Sequence, residues 1–125
     1  PDTPARRSLI LRNLANWNVF SNSSPVEGIT AAVRTFYDPN KKISIYVFGD
    51  EFTGDSIRSV VQTVDQLNAD NFDGERRVRI HAVGFPVQFI RPPQLQTTGV
   101  RFATLMRELT YRNGGTFVGL NDFRP

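Results

Sequence analysis

Ile43-Ser44-Ile45-Tyr46-Val47-Phe48-Gly49-Asp50-Glu51 is the stretch on which the fold turns. From Ile43 to Phe48 it is a short run of β-branched and aromatic residues, preceded by Lys41-Lys42 and closed by Gly49-Asp50. Too short for a buried helix, the run reads as a buried strand of a parallel sheet. Upstream, Ser24, Pro25 and Glu27 take the N-cap, N1 and N3 positions of a capping box. Val26, Ile29, Val33 and Phe36 then recur at helical spacing to about Tyr37, where Asp38-Pro39-Asn40 makes a turn. Further upstream, Leu11, Leu14 and Trp17 predict a short amphipathic helix over 7–17, and 18–23 is a polar connection.

Downstream, Ile57, Val60, Val61, Val64 and Leu67 form a helical stripe over 55–69, and 70–75 is polar. A second buried strand follows at 78–85. Pro86, Pro92 and Pro93 make 86–98 a long surface loop, a kind of segment that often carries function. Phe102, Leu105, Met106 and Leu109 mark a helix over 100–113, stopped by Gly114-Gly115, and a last short strand spans 116–120. Helix and strand alternate, so the fold class is α/β, a mostly parallel sheet flanked by helices on its faces.

With 125 residues the chain is one domain, and 39% hydrophobic against 22% charged residues fits a globular core. No apolar run approaches the roughly 20 residues that cross a bilayer, so no membrane span is expected. The absence of cysteine excludes disulfides, thiolate nucleophiles and cysteine-based metal centres. A lone histidine, His81, excludes multi-histidine metal sites. The formal charge of +3 is a mild excess. Its only cluster, Arg76, Arg77 and Arg79, flanks a strand without an aromatic platform, so no nucleic-acid partner is expected. Neither phosphate-binding glycine fingerprint occurs, and no G-x-S-x-G elbow offers His81 a serine to activate.

Ligands of open α/β sheets sit at the carboxyl ends of the strands. Asp50 stands there, directly after a strand, with Gly49 permitting close approach, and suits a hard-cation ligand, general base or nucleophile as well as a turn or cap. Ser24 is accounted for as a helix cap, with a hydroxyl that could also face a cation at that edge. Glu27 and Asp55 read as cap residues, and His81 as a packed, hydrogen-bonded strand residue. Phe89-Ile90-Arg91, in the proline-rich loop, has the composition of an interface hot spot, or alternatively of apolar anchors tucked into the domain.

Taken in order, these pieces resemble the von Willebrand factor A-like domain. Ser24-Pro25-Val26, Ile43 to Glu51, Ile80-His81-Ala82-Val83-Gly84-Phe85 and Leu105 to Leu109 with Asn113-Gly114-Gly115-Thr116-Phe117 carry the resemblance over about 18–122. It implies a Rossmann-like fold used for protein recognition, with a metal-ion-dependent adhesion site at the top of the sheet. In that family a D-x-S-x-S motif, a threonine and an aspartate hold Mg²⁺ or a similar cation, and an acidic side chain of the partner protein completes the sphere. Ser24 stands at the threonine position and Asp50 at the aspartate position. The D-x-S-x-S motif has no counterpart, since Asp2-Thr3-Pro4-Ala5-Arg6 has neither serine nor a preceding apolar strand. The chain therefore reads as a partial, N-terminally truncated domain, in keeping with a start that lacks an initiator methionine. Two oxygens hold a cation weakly or not at all. The missing strand should leave an open sheet edge and part of an apolar face uncovered, to be covered by another chain or a second copy. The resemblance implies a non-catalytic protein-interaction module, against the alternative of a Mg²⁺-dependent hydrolase or phosphoryl-transfer enzyme built on Asp50.

Overall fold

Alternation of buried and exposed residues along the strands decides which side of the sheet carries the core. The computed structural model describes residues 3–16, 25–54, 56–69 and 76–121. Strands β1 (Ile43–Gly49), β2 (Val78–Gly84) and β3 (Phe117–Gly119) form a parallel sheet in the order β1-β2-β3. Register runs from Ile43 opposite Val78 to Gly49 opposite Gly84. Helices α2 (Pro25–Phe36), α3 (Ile57–Leu67) and α4 (Thr97–Arg112) contribute to a single core. Ile29 and Val33 of α2, Val60, Val61 and Val64 of α3, and Phe102, Leu105, Met106 and Leu109 of α4 meet Val78, Ile80 and Ala82 of β2. Ile43, Ile45 and Val47 of β1 pack against the same cluster and are half-buried.

The α/β class and the parallel sheet match the sequence-based expectation; the placement of the helices does not. Every described helix that joins the core packs on one sheet face, and the other face is open among the described residues. Ser44, Tyr46 and Phe48 of β1 point to that face and are exposed, the two aromatics each at 63%. An apolar, β-branched composition makes a strand able to be buried on both faces, but the second face stays wet unless an element covers it. Here neighbouring rings provide partial cover. Tyr46 stacks on His81 with centroids 4.9 Å apart, and Phe48 lies 6.5 Å from Phe85.

Two further expectations shift. Helix α1 spans Pro4–Ala15, with Thr3 Oγ1 accepting the Arg6 N–H, and it buries none of its side chains. Leu9, Ile10, Leu11 and Leu14 are all exposed, and Trp17, expected to extend this stripe, lies outside the described residues. The segment 86–98 is not an irregular loop: short 3₁₀ helices occupy Pro86–Ile90 and Pro93–Leu95, and α4 already begins at Thr97. Pro86 and Pro93 open these turns, where a fixed φ suits the first helical position. Helix α2 is described from Pro25, its expected cap Ser24 lying outside the described residues, and it ends at Phe36 before an Asp38 turn. There Asp38 Oδ1 accepts the Asn40 N–H at 2.8 Å, and this bond, with Lys41, holds the carboxyl below its usual range.

At the amino end of the sheet two asparagines tie the layers together. Asn68, at the C-terminus of α3, and Asn113, at that of α4, are buried. Asn68 Nδ2 donates to the Val78 carbonyl and to Asn113 Oδ1, both at 2.7 Å, while Asn68 Oδ1 accepts the Val78 N–H at 3.1 Å. Asn113 Nδ2 donates to the Leu109 carbonyl at 2.7 Å. Val78 is thus hydrogen-bonded by a side chain at the point where β2 enters the core.

Asn68→Ala leaves both Val78 groups buried without these partners and should cost about 2–3 kcal/mol, read as a lower urea midpoint. An unchanged midpoint would show that Val78 is satisfied by water. Gly28 lies in the exposed interior of α2, and a Cβ added there meets nothing within 4 Å. Gly28→Ala should therefore raise stability by roughly 0.5–1 kcal/mol.

Candidate functional site

Each strand ends at its carboxyl terminus in a glycine, Gly49, Gly84 and Gly119, and the chain then turns away over the top of the sheet. Phe85 N–H donates to the Gly49 carbonyl at 2.8 Å and Leu120 N–H to the Gly84 carbonyl at 2.9 Å, carrying the parallel ladder one residue beyond each strand. What comes close to Gly49 is a ring of the chain itself. A Cβ at Gly49 would lie 2.8 Å from Phe102 Cε2, and one at Gly84 3.1 Å from the Phe117 ring. The expected room for a ligand at Gly49 is thus filled by Phe102, a buried residue of α4.

Asp50 and Glu51 follow Gly49 and converge on one amide. Gln88 Nε2 donates to Asp50 Oδ2 at 3.1 Å and to Glu51 Oε2 at 3.4 Å. Gln88 is buried, and its Oε1 finds no partner among the described residues. Its Cβ would lie 2.8 Å from a Cβ at Gly99, so only glycine at the start of α4 lets Gln88 in. Phe52 N–H donates to the Thr98 carbonyl at 3.0 Å, fastening the segment after β1 to the same helix start.

The expected pairing of Ser24 with Asp50 has no geometry to report, because Ser24 lies outside the described residues. Asp55 and Asp2 lie outside them too, and α3 starts at Ile57 after Ser56, which makes no side-chain cap bond. Glu27 sits exposed in the first turn of α2. Among the described residues no group of three His, Asp or Glu side chains could hold a metal ion. His81 is remote from this chemistry. Its Nδ1 accepts the Thr116 N–H at 3.2 Å, which places the neutral ring's proton on Nε2, and its ring stacks on Tyr46.

Two hollows flank Asp50. One, of about 370 Å³, runs between α2 and the outer edge of β1, lined by Pro25, Gly28, Ile29 and Ala32 on the helix side. The other, of about 350 Å³, opens over the ends of β2 and β3 between Phe85, Phe89, Phe117 and Leu120. Beside it the expected contact run lies at the surface. Phe89 is 47% exposed, Ile90 78%, and Arg91 is exposed as well. Gln96 Nε2 donates to the carbonyls of Phe89 at 3.2 Å and Arg91 at 2.6 Å, so an exposed apolar step is held by hydrogen bonds at its base.

Gln88, Gln96 and Phe102 were not singled out from the sequence as site residues. Gly99 near a helix start is the signal that could have pointed to Gln88, since a glycine there often marks a close approach.

Gly49→Ala forces the buried Phe102 ring to move and should destabilise by about 1–3 kcal/mol, measured by chemical denaturation. Gln88→Glu places a third carboxyl, buried, beside Asp50 and Glu51, which raises its folded-state pKa above the unfolded value. The variant's stability relative to the parent should therefore fall as pH rises through that pKa and recover on acidification. A pH-independent difference would show that the carboxyl swings out to water.

No family model, curated protein or solved structure matches the chain, and its function is inferred from the geometry of this site.

Proposed function

We propose that the chain is a non-catalytic protein-interaction module of the von Willebrand factor A type, whose partner surface lies at the carboxyl end of the sheet. The observation that carries this is the exposed Phe89-Ile90-Arg91 step, fixed from below by Gln96 and adjoining the Asp50–Gln88–Glu51 cluster. A main chain held in place loses little freedom on binding, and aromatic residues and arginine are enriched at the hot spots of interfaces. The acidic pair beside them supplies charge for selecting partner orientation.

The family resemblance implies Mg²⁺ at Asp50, but the described donors do not fit a firmly held ion. Asp50 and Glu51 each have an oxygen engaged by an amide N–H, a group that cannot ligate a cation. Mg²⁺ keeps near-octahedral geometry and gives up water reluctantly, so two carboxylates make a weak site. The partner surface is accordingly placed on 89–91, with the acidic pair as its neighbour.

Calorimetric titration with Mg²⁺ or Mn²⁺ should give no binding in the micromolar range, and a micromolar site would return Asp50 to the role of metal ligand. Cross-linking of the tagged protein in its native cells should give a set of partners that Ile90→Asp loses and Asp50→Ala keeps. Mg²⁺-dependent hydrolysis of a phosphate ester, lost in Asp50→Ala, would replace this proposal with an enzyme.

A further inference from the structure

The outer edge of β1 carries a self-complementary pattern. Ile43 N–H donates to the Arg77 carbonyl, and the Gly49 carbonyl accepts from Phe85 N–H, so the odd-numbered residues of β1 turn their backbone groups toward β2. Ser44, Tyr46 and Phe48 must then turn theirs to the other side. No described strand lies there. Along the same edge, Lys41-Lys42 precede the strand and Asp50-Glu51 follow it, at equal distances from Tyr46.

We propose that two copies of this chain pair antiparallel through β1, with a two-fold axis at Tyr46. A two-fold contact between identical edges brings the same patch of both subunits together. Opposite residues can exchange backbone hydrogen bonds only where both turn outward, so each even-numbered residue must face another. Centring on Tyr46 is the register that uses all of them: Tyr46 faces Tyr46 of the second copy, and Ser44 faces Phe48 of the second copy. Each such pair exchanges two hydrogen bonds. The same register sets Lys42 opposite Asp50 and Lys41 opposite Glu51, at both ends of the interface. A shift by two residues leaves an outward group of the strand unpaired and moves these charges apart.

The groove supports the same arrangement. Ile45 and Val47 lie on the core face, so pairing brings Ile45 of one copy beside Val47 of the other, under the α2 helices. The hollow between α2 and the edge, about 370 Å³, lies where these side chains arrive. Gly28 and Ala32 line it, and a Cβ at Gly28 would meet nothing within 4 Å, so the helix leaves space there. The product is a six-stranded sheet whose outer face joins both exposed Tyr46–His81 stacks. This interface is separate from 89–91 and goes beyond the function proposed above.

The chain contains no cysteine, so single introduced thiols report the register directly. Tyr46→Cys places two thiols across the axis, with Cα atoms about 5.5 Å apart, inside the range that a disulfide spans. It should form a covalent dimer under mild oxidation. Ser44→Cys alone should not, because its copies stand about 13 Å apart along the strands, whereas Ser44→Cys with Phe48→Cys should. In sedimentation the parent chain should dimerise with rising concentration. Lys42→Glu should weaken the dimer by about tenfold or more, and Ile90→Asp should leave it unchanged. Circular dichroism of each variant separates lost pairing from lost folding. A parent chain that stays monomeric, a dimer in which Tyr46→Cys does not cross-link, or cross-linking of Ser44→Cys as strong as that of Tyr46→Cys overturns the proposal. Occupation of the edge by a different protein would appear as the first of these.

Discussion

A three-stranded sheet has two faces and two edges, and helices α2, α3 and α4 all pack on one face. The remaining features of the domain follow from this asymmetry. The covered face gathers the apolar side chains of every second residue of β1 and β2, and burial there supplies the main stabilising term. The open face presents Ser44, Tyr46, Phe48, Arg79, His81 and Val83, a row of mixed character. Parallel sheets are ordinarily covered on both faces, because the crossover helices that join their strands pack there. Stacking of Tyr46 on His81, and the hydrogen bond from Thr116 to that histidine, tie β1, β2 and the start of β3 together on the face where no described helix packs.

The core and the carboxyl end of the sheet are mechanically one unit because α4 serves both. Phe102 is a core residue, and its ring also fills the space over Gly49 at the end of β1. Gly99, one turn earlier, admits Gln88, whose amide fixes Asp50 and Glu51. At the opposite end of the sheet Asn113, just beyond α4, joins Asn68 in holding Val78. The long helix is thereby fastened near both ends, so displacement of its first turn disturbs the acidic pair as well as the packing. A site set on rigid elements in this way keeps its shape at small entropic cost when a partner arrives.

Much of this was legible from residue pattern. The runs at Ile43, Val78 and Phe117 are strands, parallel as the alternation of helix and strand predicts, and the apolar stripe of α2 meets the core through Ile29 and Val33. Less legible was which face would be covered. Tyr46 and Phe48 are as apolar as core residues, and composition cannot tell a buried ring from one stacked at the surface. The 86–98 segment misled for a related reason. Its prolines mark breaks in regular helix, yet proline also starts 3₁₀ turns, and that is how Pro86 and Pro93 are used. Gln88 was invisible because its burial depends on a glycine eleven positions away.

Asp50 is where the two proposed surfaces meet. It follows β1, borders the groove along the outer edge of that strand and borders the hollow beside Phe89. Gln88 engages one of its oxygens, Oδ2, which fixes the carboxylate without neutralising its charge. In an antiparallel pair, Lys42 of a second copy would stand opposite this residue and bring a cation to the acidic pair. Pairing along the edge would then lower the negative potential at the carboxyl end of the sheet, on the same side as Phe89-Ile90-Arg91. With the Gln88 amide on one side and, in the proposed pair, Lys42 of the second copy on the other, Asp50 has a structural role that involves no metal.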